Sequence, residues 1–175
     1  SRLADFGNSA CMGCTNLTEV DFGARDTENR VPLAFDRQVF KYCTSLESIV
    51  FPADTTEIGQ RMFEGCAALK SITFGDEAPS MLQEIALSAF WSTAITEFTF
   101  PTSMTEATET TPAEVRSISL GNNLFQGCSK LTTVTLSPSV TDIGQIFVGC
   151  VSLQQVIIAE GNVNFSASGE MPVIF

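Results

Sequence analysis

The sequence predicts an α/β repeat solenoid. The expected form is a right-handed coil with one parallel β-sheet of about six strands, and short helical or irregular segments on the other side. Three observations predict it. The spelling QRMFEGCAALKSITF (residues 60–74) returns as QVFKYCTSLESIVF (38–51), NLFQGCSKLTTVTL (123–136) and QIFVGCVSLQQVII (145–158). A shorter apolar pattern, L-x-x-L-x-L, occurs six times along the chain. The step between copies is 23 residues from Leu46 to Leu69 and 22 from Leu131 to Leu153.

The six segments are Leu17-x-x-Val20-x-Phe22, Leu46-x-x-Ile49-x-Phe51, Leu69-x-x-Ile72-x-Phe74, Ile95-x-x-Phe98-x-Phe100, Leu131-x-x-Val134-x-Leu136 and Leu153-x-x-Val156-x-Ile158. Each has the form of the strand of a leucine-rich repeat, whose period runs roughly 20–29 residues. The longer steps of 29, 26 and 36 residues, starting at Leu17, Leu69 and Ile95, point to loop insertions. Strands are expected near residues 17–22, 46–51, 69–74, 95–100, 131–136 and 153–158. Alternate strand residues face opposite sides, so Ile72 and Phe74 each belong to the core set of their copy. One copy cannot close a core alone, and stacked copies bury each other's apolar edges.

Another leg, the first of each rung, precedes each strand. It runs Ile58-Gly59-x-x-x-Phe63-x-x-Cys66, with counterparts at Ile143/Phe147/Cys150, Ile85/Phe90 and Phe6/Cys11/Cys14. The Ile or Phe marks a short extended piece. Phe and Cys, three apart, fit one face of a helical turn. Phe40, Phe63, Phe90, Phe125 and Phe147 are then expected to stack as an internal aromatic column.

Bulk composition narrows the function classes. The 175 residues suffice for a single domain with a sizeable core. With 44% hydrophobic and 17% charged residues, the chain is not disordered by composition. Nine Lys plus Arg against 20 Asp plus Glu, a net charge of −11, argue against nucleic acid and against anionic membrane surfaces. No apolar run approaches a spanning helix, so membrane insertion by this segment is not expected. Histidine is absent, which removes the Ser-His-Asp triad and the commonest transition-metal ligand. The repeat is already running in SRLADFGNSACMGC, and the chain is expected to be a segment of a longer protein.

These two-leg units resemble the BspA-like leucine-rich repeat family, also called the Treponema pallidum-type repeat. The segments LESIVFPADTTEIGQRMFEGC (46–66) and LTTVTLSPSVTDIGQIFVGC (131–150) carry the resemblance, which extends from Leu3 to about Phe165. Cys11 takes the Phe slot in the first copy. Thr93 replaces Cys in the fourth, which is one residue shorter, and the fifth has a distorted first leg, EVRSISLGNNLF. These departures bear on local geometry and leave the fold intact. The resemblance implies a secreted or cell-surface bacterial protein, extracellular or lipid-anchored in the full-length chain, that acts in adhesion or protein binding.

Five of the six cysteines, Cys14, Cys43, Cys66, Cys128 and Cys150, share one register, three after the Phe slot. Cys is among the most buried residue types, so reduced, buried thiols are expected. The C-x-x-C at Cys11 and Cys14 follows from the same register. A zinc site there would need two further ligands with suitable spacing, and the sequence supplies none. No cofactor and no metal are expected, because the acidic stretches Asp76-Glu77 and Glu106/Glu109 lack a calcium-loop pattern.

The candidate binding face is the set of outward strand residues: Glu19 and Asp21, Ser48 and Val50, Ser71 and Thr73, Glu97 and Thr99, Thr133 and Thr135, Gln155 and Ile157. Solenoid sheets are frequently used for binding, and a protein partner is expected ahead of a glycan. The same residues also suit plain solvated strands, where Thr and Val are favoured. The strip carries no aromatic residue on which a sugar would stack. The insertions GARDTENRVP (23–32), GDEAPSM (75–81) and PTSMTEATETTPAEV (101–115) are second candidates, the last as a mobile exposed loop. Trp91 is expected to pack at a rim.

Three functions compete. The first is a non-catalytic binding or adhesion module. The second is a passive spacer in a larger secreted protein. The third, a β-helix enzyme acting on acidic polysaccharide, requires carboxylates and basic residues gathered on one face. The nine basic residues are instead scattered, from Arg2 to Lys130.

Overall fold

The computed structural model describes residues 4–23, 31–76, 78–105, 108 and 110–165. Twelve short strands follow one another in these residues. They are β1 (Ala4–Phe6), β2 (Leu33–Phe35), β3 (Ser48–Phe51), β4 (Thr55–Ile58), β5 (Ser71–Phe74) and β6 (Glu84–Ile85), then β7 (Glu97–Thr99), β8 (Ser103–Met104), β9 (Val115–Arg116), β10 (Ser119–Leu120), β11 (Thr133–Leu136) and β12 (Gln155–Ile158). The molecule is a β-solenoid of stacked parallel strands.

Each rung carries its core on two extended legs and a turn. The first leg builds a continuous five-stranded parallel sheet, in the order β1-β2-β4-β6-β10. Its register pairs Phe6 with Phe35, Ile58 with Ile85, and Leu120 with Ile85 on the other side. The distorted leg of the fifth copy is thereby explained, since Leu120-Gly121 occupies the Ile-Gly slot. The second leg holds the L-x-x-L-x-L strands. Ile49 pairs with Ile72, and Val134 pairs with both Phe98 and Val156. Ile49, Ile72, Phe98 and Val134 are buried, as the pattern requires.

The expected helical turns are absent among the described residues. In five of the six copies the turn around the Phe and Cys slots carries two residues in the left-handed region, four apart. They are Ser9 and Gly13, Gln38 and Tyr42, Arg61 and Gly65, Ser88 and Ser92, and Asn123 and Gly127, at φ between 54° and 74°. An α-helix needs φ near −63° at every residue, so two reversals within five residues exclude it. The local sequence favours this course, because Gly precedes Cys in four of the rungs and bears positive φ without steric cost.

The reversals turn alternate N–H groups along the solenoid axis. Gln38, Phe40 and Tyr42 donate to the carbonyls of Gln60, Met62 and Glu64 in the next rung, at 2.9, 3.0 and 2.9 Å. Arg61, Phe63 and Gly65 repeat the trio toward Leu87, Ala89 and Trp91 at 3.0, 2.8 and 3.0 Å. The backbone polarity that a helix satisfies internally is satisfied here between rungs.

The aromatic column forms. Ring centroids step from Phe40 to Phe63 to Phe90 to Phe125 to Phe147 at 5.6, 6.0, 5.5 and 5.8 Å, all stacked. Beside it the register cysteines beyond the first rung, Cys43, Cys66, Cys128 and Cys150, donate their thiols to the Phe-slot carbonyl of the preceding rung. Cys66 reaches Phe40 O at 3.0 Å, Cys128 reaches Phe90 O at 3.1 Å, and Cys150 reaches Phe125 O at 3.2 Å. Thr93, standing in the Cys slot, lies 3.3 Å from the Cys128 sulfur.

The single six-strand sheet expected on the second leg is corrected to two sheets. β3 pairs with β5, and β7 pairs with β11, which pairs in turn with β12. Residues 17–22 form no ladder; they touch rung two through the Glu47 N–H donated to Thr18 O at 3.3 Å and through Phe22 stacked on Phe51. The segment 101–115, expected as a free loop, has its ends tied in an antiparallel pair between β8 and β9. Ser103 is buried there and its N–H donates to Ser139 Oγ at 2.7 Å.

Candidate functional site

The outward residues of the second leg are positioned by strand alternation. On β3 and β5 the burial pattern begins exposed, buried, exposed, so Ser48 and Val50 point away from the core beside Ser71 and Thr73. The second patch has two rows. Glu97, Thr133 and Gln155 form one, and Thr99, Thr135 and Ile157 form the other. Glu19 and Asp21 lie exposed on the unladdered first rung, where the Asp21 carboxylate accepts the Gly23 N–H at 2.8 Å. All twelve are exposed except Thr133 and Thr135, which are half-buried between neighbouring strands. The two apolar members, Val50 at 55% and Ile157 at 38% exposure, are open to solvent.

The strip is not continuous. At each successful step the strand opens with one inter-rung hydrogen bond: Lys70 N–H to Glu47 O at 2.9 Å, Thr132 N–H to Thr96 O at 2.8 Å, Gln154 N–H to Thr132 O at 2.9 Å. No counterpart joins Thr96 to Lys70. β5 and β7 therefore lie side by side without a ladder, although the first leg and the turns stay bonded at the same step. The cause is in the sequence. Five residues separate Phe90 from Ile95, where six separate Phe63 from Leu69 and Phe125 from Leu131. Both ends of the fourth rung are held by the core, so the missing residue draws its strand out of register with the third.

A cleft of about 510 Å³ occupies this seam. Ser71, Thr73, Glu97 and Thr99 line its floor, and residues 78–80 with Pro101 and Thr102 form a rim. The rim belongs to the insertions at 75–81 and 101–115. The shortened copy and the adjacent insertion were both visible in the sequence; their convergence on one cleft was not.

Elsewhere the other candidates disperse. Trp91 is half-buried on the turn leg, under the Arg61 guanidinium at 5.5 Å from its ring centroid. Lys41 is nearly buried and pairs with Glu64 at 2.9 Å. Arg2, Arg25, Arg30, Glu77, Glu106 and Glu109 lie outside the described residues, as does most of the 23–32 insertion. Among the described residues no helix is long and apolar enough to cross a membrane, and no group of three His, Cys, Asp or Glu side chains is placed to hold a metal ion.

All six cysteines are free. Cys43, Cys66 and Cys128 are buried, Cys11 and Cys150 are half-buried, and Cys14 is exposed on the first rung. Burial pushes the Cys66 and Cys150 thiols up to about 12 and the Cys43 thiol up to about 11, from an ordinary 9.0. The thiolate is the reactive form. Iodoacetamide at pH 8 is therefore expected to label Cys14 fast and the buried thiols only on unfolding, as peptide mass mapping would report. Labelling of Cys66 or Cys128 as fast as Cys14 would show that the rungs open. Because these thiols stay neutral in the fold while the unfolded thiols ionise near 9.0, their contribution to stability is constant below that pH and is lost as pH rises from about 9 to 12.

The description "BspA type leucine rich repeat region" matches the chain in six copies, over residues 1–110 and 33–168. No curated protein is similar enough to be matched. Among solved structures, the T. pallidum leucine rich repeat protein is 30% identical over 73% of this chain and 53% of that one, with a TM-score of 0.55. The pneumococcal vaccine antigen PcpA is 25% identical over 78% of this chain and 24% of that one, with a TM-score of 0.48. The chain spans about half the length of the first and about a quarter of the second. Six matched repeats covering nearly the whole sequence place this chain in the BspA type leucine-rich repeat family.

Proposed function

We propose that the chain is a non-catalytic, surface-exposed module for protein binding or adhesion, secreted or lipid-anchored as part of a longer protein. The observation that supports this most is the exposed strip itself. Parallel register sets small polar side chains in rows, and two apolar residues, Val50 and Ile157, stand exposed among them. Single exposed apolar residues are ordinary on surfaces, but rows of small polar side chains held on a rigid scaffold suit recognition.

The test presents the chain to arrays of bacterial and mucosal surface proteins and, in parallel, of glycans. Protein hits are expected. The double variant Val50→Asp, Ile157→Asp is expected to weaken them by about tenfold or more, since desolvated central contacts dominate binding. Hits confined to glycans would replace the partner class. No hit in either array would favour a passive spacer.

A further inference from the structure

The basic residues are scattered along the sequence, yet the fold gathers most of the described ones on one side. The turn leg comprises residues 7–16, 36–45, 59–68, 86–94, 121–130 and 144–152 of successive rungs. It carries four cations, Arg37, Lys41, Arg61 and Lys130, against two carboxylates, Asp36 and Glu64. The other described residues carry two cations and twelve carboxylates. The same side holds the only Tyr and the only Trp of the chain, Tyr42 on the second rung and Trp91 on the fourth.

Arg61, on the rung between them, has a charge to spare. Lys41 pairs with Glu64 at 2.9 Å, and the Tyr42 hydroxyl donates to Glu64 Oε1 at 3.3 Å, so that carboxylate is engaged twice. Arg61 Nε lies 3.8 Å from Glu64, beyond hydrogen-bond reach, and has no hydrogen-bond partner among the described residues. The guanidinium sits 5.5 Å from the Trp91 ring centroid, and the Arg61 side chain is 40% exposed. Both aromatic neighbours are seated. The Tyr42 ring lies on Gly65 and the pyrrole edge of Trp91 on Gly127, each a glycine of the next rung where an added Cβ would touch the ring.

We propose that the turn side is a docking surface for an acidic patch of a partner protein, with an Asp or Glu carboxylate of the partner held on the Arg61 guanidinium between Tyr42 and Trp91. The inference rests on the protein-binding reading above and adds to it a second face, apart from the strand strip.

Three features choose this occupant. A side of positive balance, in a chain of net charge −11, attracts and orients a negative surface. The planar guanidinium matches a carboxylate with two parallel hydrogen bonds, and it offers them here without having to break any. Arg, Tyr and Trp are also the residues that dominate binding energy at protein interfaces, and the strand strip has none of them. Cations already stand over both rings, Lys41 at 4.9 Å from the Tyr42 centroid and Arg61 over Trp91, which favours protein side chains over a stacking sugar.

The test uses capped hexapeptides of alternating Leu and Glu, a twin with Gln for Glu, and a trigalacturonate oligosaccharide as an acidic glycan. Trp91 is the only Trp, so its fluorescence and its indole N–H signal in NMR report on this side directly. Titrations run to about 1 mM, a concentration that reaches weak complexes. The Glu peptide is expected to shift Trp91, the Gln twin to bind at least about tenfold more weakly, and added salt to weaken the Glu peptide. Arg61→Gln is expected to lose about tenfold with the melting curve unchanged, and Arg61→Lys to lose less, since it keeps the charge without the fork. Glu84→Gln, on the first leg, is expected to change nothing. No Trp91 response to the Glu peptide, equal binding of the Gln twin, tighter binding of trigalacturonate, or wild-type binding by Arg61→Gln would each overturn the proposal. The protein arrays separate the two faces. Hits weakened by Arg61→Glu support the turn side. Hits that survive Arg61→Glu and fail in the Val50→Asp, Ile157→Asp variant would overturn it while leaving the binding role of the strip in place.

Discussion

Phe125→Ala is expected to cost about 3–5 kcal/mol of unfolding free energy, the largest effect of any single truncation in the core. The Phe125 ring is fully buried and touches four others: Phe90 at 5.5 Å, Phe98 at 5.1 Å, Phe100 at 6.2 Å and Phe147 at 5.8 Å between centroids. Burial of a Phe side chain contributes roughly 1.5–3 kcal/mol, and the favourable ring geometries add to it. The remainder is the cavity, which rungs clamped on both sides cannot collapse. Phe147→Ala removes the same atoms one rung further on, where the ring is half-buried, and is expected to cost roughly half as much. Urea titration followed by circular dichroism measures both. A solenoid whose rungs contact only their neighbours should also show a broadened transition in the Phe125 variant, because the column is cut in its interior. Equal costs for the two variants would mean that the column is not the shared core of the stack.

Gly59→Ala is expected to be the second most damaging change, at about 3 kcal/mol or more. Gly59 has no left-handed φ, so freedom of the backbone is not its purpose. Its purpose is space: a methyl group there would run into the carbonyls of Asp36 and Phe35 in the adjacent rung. Those atoms are main chain, held by the β2–β4 ladder, and cannot swing aside. Gly7 occupies the same slot on the first rung with nothing within 4 Å of the added carbon. Gly7→Ala is expected to leave stability unchanged or raise it by up to about 1 kcal/mol, by restricting the unfolded chain. Thermal melts of the pair separate the two explanations of a conserved-looking Ile-Gly spelling: close rung contact gives unequal losses, whereas a turn requirement would give similar ones.

The same Ile-Gly spelling shows how far local reading reaches. Ile58 and Ile85 were assignable to an extended piece, and they pair in one sheet. Phe63 and Cys66 were assignable to one inward face, and both are buried. Their spacing of three was equally compatible with a helical turn and with the doubly reversed turn that forms, because both bring residues three apart together. What separates them is the partner of the backbone N–H. Gln38, Phe40 and Tyr42 donate to the next rung, a partner that no window of contiguous sequence contains. The candidate strip was legible for a related reason. Outward positions such as Ser71, Thr73, Glu97 and Thr99 follow from alternation alone, yet the cleft that gathers these four depends on a register mismatch between two copies.

By itself the sequence determined which residues are inside: the period, the apolar spelling and the Phe and Cys registers are local and repeat until they are unmistakable. It also determined the family, since six copies of one spelling constrain the stack more than any single motif. Only the tertiary structure decided that the turns reverse instead of coiling, that Gly59 yields room to a neighbouring carbonyl, and that the strand sheet parts between β5 and β7. Each of these is a relation between rungs. Interactions between stacked units depend on how far each unit's ends are displaced against the next, and that displacement is summed over the whole turn and written at no one residue.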